Sequence, residues 1–229
     1  MACLLIDAHD VWKIYRNSHV AVEAVRGASM SIHGGEFIAV SGASGSGKST
    51  FMHIIGCLDR ATRGRLNFEG RNVTDLSKPQ LAVLRNQRIG FVFQNFNLLA
   101  RTTVLDNVAL PLAYQRVPLR IRREKAAEVL DELGLSDRVH HRPNELSGGQ
   151  QQRAAIARAL VTQPALLLAD EPTGNLDSER AAQIMSLFRS LNRQRGLTIV
   201  VVTHEMELAS YASRHVVFSD GRIVSDTNQ

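Results

Sequence analysis

The stretch G-A-S-G-S-G-K-S-T, Gly42 to Thr50, decides how this chain is read. It fits the spacing Gly-x-x-x-x-Gly-Lys-Ser, and each residue type there has a physical reason. Gly42, Gly45 and Gly47 admit backbone conformations that let successive N–H groups point inward at phosphate oxygens. Lys48 adds a point charge for the β and γ phosphates, and Ser49 offers a hydroxyl to Mg²⁺. The candidate phosphate cradle is therefore Gly42, Ala43, Ser44, Gly45, Ser46, Gly47, Lys48, Ser49 and Thr50. Its surroundings agree: Glu36 to Ser41 (EFIAVS) reads as a short apolar strand, and Thr50 to Leu58 as a helix whose N-terminus faces the anion.

A phosphate loop of this kind calls for a second element, a buried strand ending in a carboxylate that meets the magnesium. Ala165 to Glu171 (ALLLADE) supplies it. Its unbroken apolar run suits a central parallel strand covered on both faces, which need not alternate. Asp170 is the expected Mg²⁺ contact, and Glu171 stands where it can orient or deprotonate an attacking water. In isolation Asp170-Glu171-Pro172 would read as a surface turn; beside a phosphate loop the catalytic reading is stronger.

Leu146 to Arg153 (LSGGQQQR) adds an anion site distinct from the loop. Ser147 can hydrogen-bond an anion, and Gly148 and Gly149 allow close approach at the start of a helix expected over Gln150 to Leu160. An ordinary helix cap with a charged, solvated face is the bland alternative, which Arg153 and Arg158 would also suit.

With these residues in view, the chain resembles the ATP-binding subunit of ATP-binding cassette (ABC) transporters over nearly its whole length. LSGGQQQR is similar to the family's signature, Gln94 to its Q-loop, Gly174 to Asp177 (GNLD) to its D-loop and His204 to its switch histidine, all in the family's order. The resemblance implies an α/β P-loop NTPase fold with a RecA-like core, an N-terminal antiparallel β-subdomain and an inserted α-helical subdomain. It implies ATP and Mg²⁺ as ligands, with Glu171, His204 and Gln94 catalytic and Ser49, Gln94 and Asp170 at the metal. It also implies that Ser147, Gly148, Gly149, Gln150 and Asp177 complete the site of a second copy, so that two chains sandwich two ATPs head to tail. Tyr15 matches the family's adenine-stacking position, with Trp12 as a nearby competitor. The segments Phe91 to Leu99, Asp106 to Leu112, Ile54 to Gly64 and Ala169 to Ser178 resemble the macrolide-exporter (MacB) and lipoprotein-release (LolD) branch. Ala61 and Ala100, where that branch often has proline, and Phe51, where leucine is usual, depart from it.

That resemblance implies an ATPase driving a separate transmembrane permease subunit for drug or peptide export or lipoprotein release, peripheral on the cytoplasmic face of the inner membrane. The partner's coupling helix is expected against Gln94 to about Leu112. A cassette driving a non-transporting membrane complex, for signalling or cell-wall remodelling, would carry the same motifs. Neither the long coiled-coil insertion of DNA-repair cassettes nor the second cassette of ribosome-acting ones is visible in the sequence.

Composition agrees with one globular unit over 1–229, with 44% hydrophobic residues. No apolar run approaches the ~20 residues that span a bilayer, and no secretory leader is expected. Cys3 lacks a preceding apolar segment, and Cys3 and Cys57, without metal spacing, suggest free thiols in a reducing compartment. His140 and His141 likewise lack ligand spacing. Between Lys78 and Pro143 eleven Lys and Arg face six Asp and Glu, an excess of five that equals the net charge of the whole chain, +5. Arg116, Arg120, Arg122, Arg123 and Lys125 form its densest part. A solvated face is the default reading, an anionic membrane surface the second, and nucleic acid the last, because no binding motif accompanies the patch.

The pattern along the chain predicts antiparallel strands over 4–41, with Gly34-Gly35 as a turn. A strand over Arg88 to Phe93 follows, then a mainly helical subdomain over about 95–160 interrupted by Pro111, Pro118 and Pro143. Helix Glu179 to Arg195, the strand Leu197 to Thr203 and further strands complete a core over about 1–94 and 161–229.

Overall fold

The computed structural model describes residues 3–16 and 20–228. Its strands form two sheets. β1 (Leu4–Arg16) and β2 (Ala21–His33) pair antiparallel, and β4 (Arg63–Phe68) and the short β5 (Arg71–Asn72) extend them in the order β2-β1-β4-β5. β3 (Phe37–Ser41) belongs to the other sheet, together with β6 (Ile89–Phe93), β7 (Leu166–Asp170), β8 (Thr198–Val202), β9 (Arg214–Ser219) and β10 (Arg222–Asn228). The spatial order there is β10-β9-β3-β8-β7-β6, all parallel except the edge strand β10.

This corrects one expectation. Gly34-Gly35 is a turn, but β3 does not continue the antiparallel sheet that 4–41 suggests, a span that includes 17–19 outside the described residues. All five residues of β3 are buried, so it needs cover on both faces, which only a central position provides. Parallel pairing with β8 and β9 gives it that.

Seven helices join the strands among the described residues: α1 (Lys48–Ile55), α2 (Lys78–Arg88), α3 (Val104–Tyr114), α4 (Leu119–Glu132), α5 (Gly148–Leu160), α6 (Ser178–Arg195) and α7 (Met206–Ala209). The alternation of the parallel strands sorts the core into two layers. Ala39, Leu167, Ala169, Ile199 and Val201 face a cluster that includes Ile156 of α5 and Phe188 of α6. Ile38, Val40, Leu168, Val200 and Val202 face α1 and the antiparallel sheet, through Phe51, Met52, Ile6 and Phe68.

The helices depart from expectation in two places. α2 was not anticipated; it opens on a Ser77/Gln80 capping box with Pro79 in its first turn, signals present in the sequence. Pro111 does not interrupt the helical stretch but lies inside α3, which runs on to Tyr114. A proline removes one ladder bond. Here Val108, Ala109 and Leu112 are buried around it, and the packing outweighs that loss. Pro118 and Pro143 do mark starts, of α4 and of a 3₁₀ turn.

Candidate nucleotide site

The carboxyl ends of four neighbouring parallel strands lead to the predicted loop, Gln94, Asp170, Glu171 and His204 at one edge, where open parallel sheets bind ligands. β3 feeds the loop Gly42–Gly47, β8 leads to Thr203 and His204, β7 ends at Asp170 before Glu171, and β6 leads to Gln94.

The loop is built from its glycines. Gly42 has φ 142 and Gly47 φ 101, and a Cβ at either would come within 2.1 Å of the Phe218 carbonyl oxygen or 2.3 Å of the Ala24 carbonyl oxygen. β2 and the β9–β10 turn therefore wall the loop. The Gly221 N–H donates to the Ser46 carbonyl at 2.9 Å, and the Arg26 N–H to the Gly221 carbonyl at 2.7 Å. α1 starts directly after Gly47, at Lys48. Lys48 is buried, its Nζ donating to the Gly42 and Ala43 carbonyls at 2.9 and 2.8 Å.

Beside the loop, Ser49 Oγ donates to Asp170 Oδ1 at 3.0 Å. Burial raises the Asp170 pKa, and the Ser49 bond offsets this only in part. His53 Nε2 stands 3.9 Å from Asp170 Oδ2. Sequence reading missed it, although its position four residues after Ser49 on α1 places both on one helix face. Among the described residues no cluster of three His, Cys, Asp or Glu could hold a metal. The hydroxyl and carboxylate pair suits a hard cation that takes its remaining ligands from phosphate and water.

Glu171 follows at φ 45, in the left-handed region, with its N–H on the Val202 carbonyl at 3.0 Å. Its Oε1 lies 3.6 Å from His204 Nδ1. Gln94 sits next to the turn Gly174–Asp177: its Nε2 is 3.5 Å from Asn175 Oδ1.

Tyr15 and Trp12 separate clearly. Tyr15 is 44% exposed on β1, and its hydroxyl donates to Asp59 Oδ2 at 2.9 Å. Lys13 Nζ lies 4.9 Å from its ring centroid and donates to Asp59 Oδ1 at 2.6 Å. Burial and then the Asp59 bond raise the Tyr15 pKa; although burial alone would raise Asp59, the Lys13 bond holds it low. Trp12 instead donates to Asp10 at 2.9 Å and packs over Gly27. Asp59 and Lys13 were not predicted; Lys13 shares a face of β1 with Tyr15 two residues on, whereas Asp59 approaches only through tertiary folding.

The segment Ser147–Gln150 lies apart from the loop, and no hydrogen bond among the described residues joins it to Gly42–Thr50. It forms the start of α5, where Ser147 and Gln150 make a reciprocal capping box. The N–H groups of Gly148 and Gly149, in the helix's first turn, have no partner within the helix. Asp177 caps α6, accepting from the Arg180 N–H at 2.9 Å. In the basic cluster, Arg123 forks onto Asp106 at 2.9 and 3.1 Å, and Arg120 lies 3.7 Å from Glu124.

Residues 25–174 match the sequence profile of the ABC transporter family. The chain belongs to the ABC transporter family. The cassette is 53% identical over 214 residues to an uncharacterised ABC transporter ATP-binding protein of Thermotoga maritima, covering 93% of this chain and 91% of that one. It is 48% identical over 221 residues to the macrolide export ATP-binding/permease protein MacB of Syntrophobacter fumaroxidans, covering 96% of this chain and 31% of that protein. The chain thus spans about a third of the length of the MacB relatives it matches. Among solved structures, the dimeric bacterial ABC transporter cassette MJ0796 superposes with TM-score 0.90 at 41% identity over 98% of both chains. A post-hydrolysis dimer of MJ0796 bound to ADP and Pi gives TM-score 0.90 at 40% identity, again over 98% of both. The α/β cassette fold and the ATPase class follow from this kinship. No described helix is long and apolar enough to cross a membrane.

Proposed function

We propose that two copies of this cassette close head to tail on two ATP molecules, hydrolyse them, and thereby drive a membrane permease. The carrying observation is that Lys48, Ser49 and Asp170 gather at the phosphate loop, while the capped LSGG tip makes no hydrogen bond to that loop among the described residues. The dimeric form of the related MJ0796 cassette supports the same reading.

In this scheme the Gly42–Thr50 backbone and Lys48 hold the β and γ phosphates, and Tyr15 stacks on adenine. Ser49, Asp170 and Gln94 would hold Mg²⁺, which when bound neutralises phosphate charge. Glu171 takes the proton of the attacking water, and His204, 3.6 Å away, holds that carboxylate in place toward the γ-phosphate. Ser147, Gly148, Gly149 and Gln150 supply N–H and hydroxyl donors to the partner copy's ATP, and Asp177 stands at the same face.

A groove of about 690 Å³ between α2, β6, α3 and α5, lined by Val83, Asn86, Phe91, Leu110 and Tyr114, suits an amphipathic helix of the permease. The similarity to a macrolide export ATP-binding/permease protein supports export as the task; lipoprotein release and a place on the cytoplasmic face of the inner membrane rest on the sequence resemblance alone.

The test is ATPase rate against protein concentration, with oligomeric state followed in ATP and Mg²⁺ for the wild type and Glu171→Gln. We expect a rate per chain that rises with concentration. Glu171→Gln should keep ATP binding, lose activity by ~10²–10⁴ and trap a dimer. A concentration-independent rate from a persistent monomer would remove the two-copy site.

A further inference from the structure

The four residues after β6, Gln94 to Asn97, are held from two directions by side chains that the catalytic scheme leaves without a role. On one side Asn175 Nδ2 donates to the Gln94 carbonyl at 2.9 Å and to Asn95 Oδ1 at 3.1 Å. The neighbouring Gly174 lies so close that a Cβ there would come within 2.7 Å of Gln94 Nε2. On the other side the Arg158 guanidinium donates from Nη2 to the Phe96 carbonyl at 2.9 Å and from Nη1 to the Asn97 carbonyl.

Phe96 and Asn97 are both left-handed, at φ 57 and 51. Their carbonyls accept from a planar fork of donors that lysine could not reproduce. No carboxylate pairs with Arg158 among the described residues, and burial lowers its pKa. The two carbonyls are its protein partners, which ties the loop to α5 more firmly than a solvated contact would.

We propose that Arg158 and Asn175 are positioning residues that clamp Gln94–Asn97 between the signature helix α5 and the Gly174–Asp177 turn, so that a shift of either element moves the Gln94 amide. This rests on the reading of Gln94 as a metal-corner residue. Ser147 and Arg158 are joined by one helix and lie roughly 16 Å apart along it. Displacement of the tip by a second copy is thus delivered to the Phe96 and Asn97 carbonyls without an intermediate contact. Arg158 also lines the groove between α2, β6, α3 and α5, so an occupant there bears on the same clamp.

Two readouts test this in Arg158→Ala, Arg158→Lys and Asn175→Ala: backbone hydrogen exchange of nucleotide-free protein over residues 95–101, and kcat and KM for ATP. In Arg158→Ala, exchange should rise in that segment while β6 and α6 stay protected. The same variant should lose kcat by roughly tenfold to a hundredfold, with KM within about twofold of wild type. Arg158→Lys should recover only part of the loss, and Asn175→Ala should show the same pattern more weakly. Wild-type exchange and kcat in Arg158→Ala would overturn the proposal, as would exchange raised equally across β6, α5 and α6. Should that variant fail to fold, Asn175→Ala decides on the same criteria, since Asn175 is exposed and its truncation leaves the core intact. A wild-type chain without ATPase activity would instead overturn the catalytic scheme, and the exchange readout would still decide the clamp.

Discussion

The phosphate loop and the LSGG tip are both glycine-rich turns that feed a helix, yet their glycines serve opposite needs. Gly42 and Gly47 have positive φ and press against backbone of β2 and the β9–β10 turn, so the chain itself fills the space a side chain would take. At Gly149 an added Cβ would meet only the Arg180 side chain, at 3.4 Å, and φ is not positive. One set of glycines is required by the fold of a single chain. At the tip the glycines press only on side chains of the same chain, Leu176 and Phe96 at Gly148 and Arg180 at Gly149, and the backbone sets no such demand.

The largest effect is expected when each region is disabled in a different copy. Lys48→Ala and Ser147→Arg should each be inactive alone. Mixed, they leave one composite site with an intact loop from one chain and an intact tip from the other, so hydrolysis should return to at most roughly a quarter of wild type, the share expected from random pairing in a two-fold dimer. No return of activity on mixing, read by phosphate release, would place the tip and the loop of one chain in the same site.

A smaller contrast separates stability from function. Gly47→Ala forces a Cβ within 2.3 Å of the Ala24 oxygen at φ 101 and should destabilise the folded chain by roughly 1–3 kcal/mol. Gly149→Ala, early in α5, should leave the melting temperature unchanged or slightly raised, because alanine is the better helix former. Its ATPase rate should nevertheless fall, since the added methyl crowds the Arg180 side chain that packs against the tip. Equal thermal losses in the two variants would show that the tip, too, is packed within one copy.

What could be read from residues alone follows the range of the interactions. The loop, the ALLLAD strand and the start of α5 announce themselves because a phosphate cradle, a strand buried on both faces and a helix cap are each local patterns. The walls of the loop are not local: Ala24 and Gly221 lie far from Gly47 in sequence and reach it only through the sheet order. For the same reason the membership of β3 in the parallel sheet and the grip of Asn175 on Gln94 escape a linear reading. Pro111 misleads in another way, since burial of its neighbours outweighs its intrinsic cost.

The smallest effect is expected at the metal corner, where burial of a carboxylate costs the fold stability. Burial raises the Asp170 pKa, so the folded state binds its proton more tightly than the unfolded chain does. Stability linked to this group is fully present below the ordinary carboxylate range and declines as pH rises through the raised value. Asp170→Asn removes that decline while keeping an oxygen for the Ser49 hydroxyl. Nucleotide-free Asp170→Asn should therefore melt above the wild type near pH 7, with the gap closing toward about pH 4. The wild type should gain more than the variant from ATP and Mg²⁺, because only its carboxylate rewards a cation. A variant that melts below the wild type at neutral pH would mean that the Ser49–Asp170 pair stabilises the empty corner, and that the corner is not held ready for a metal.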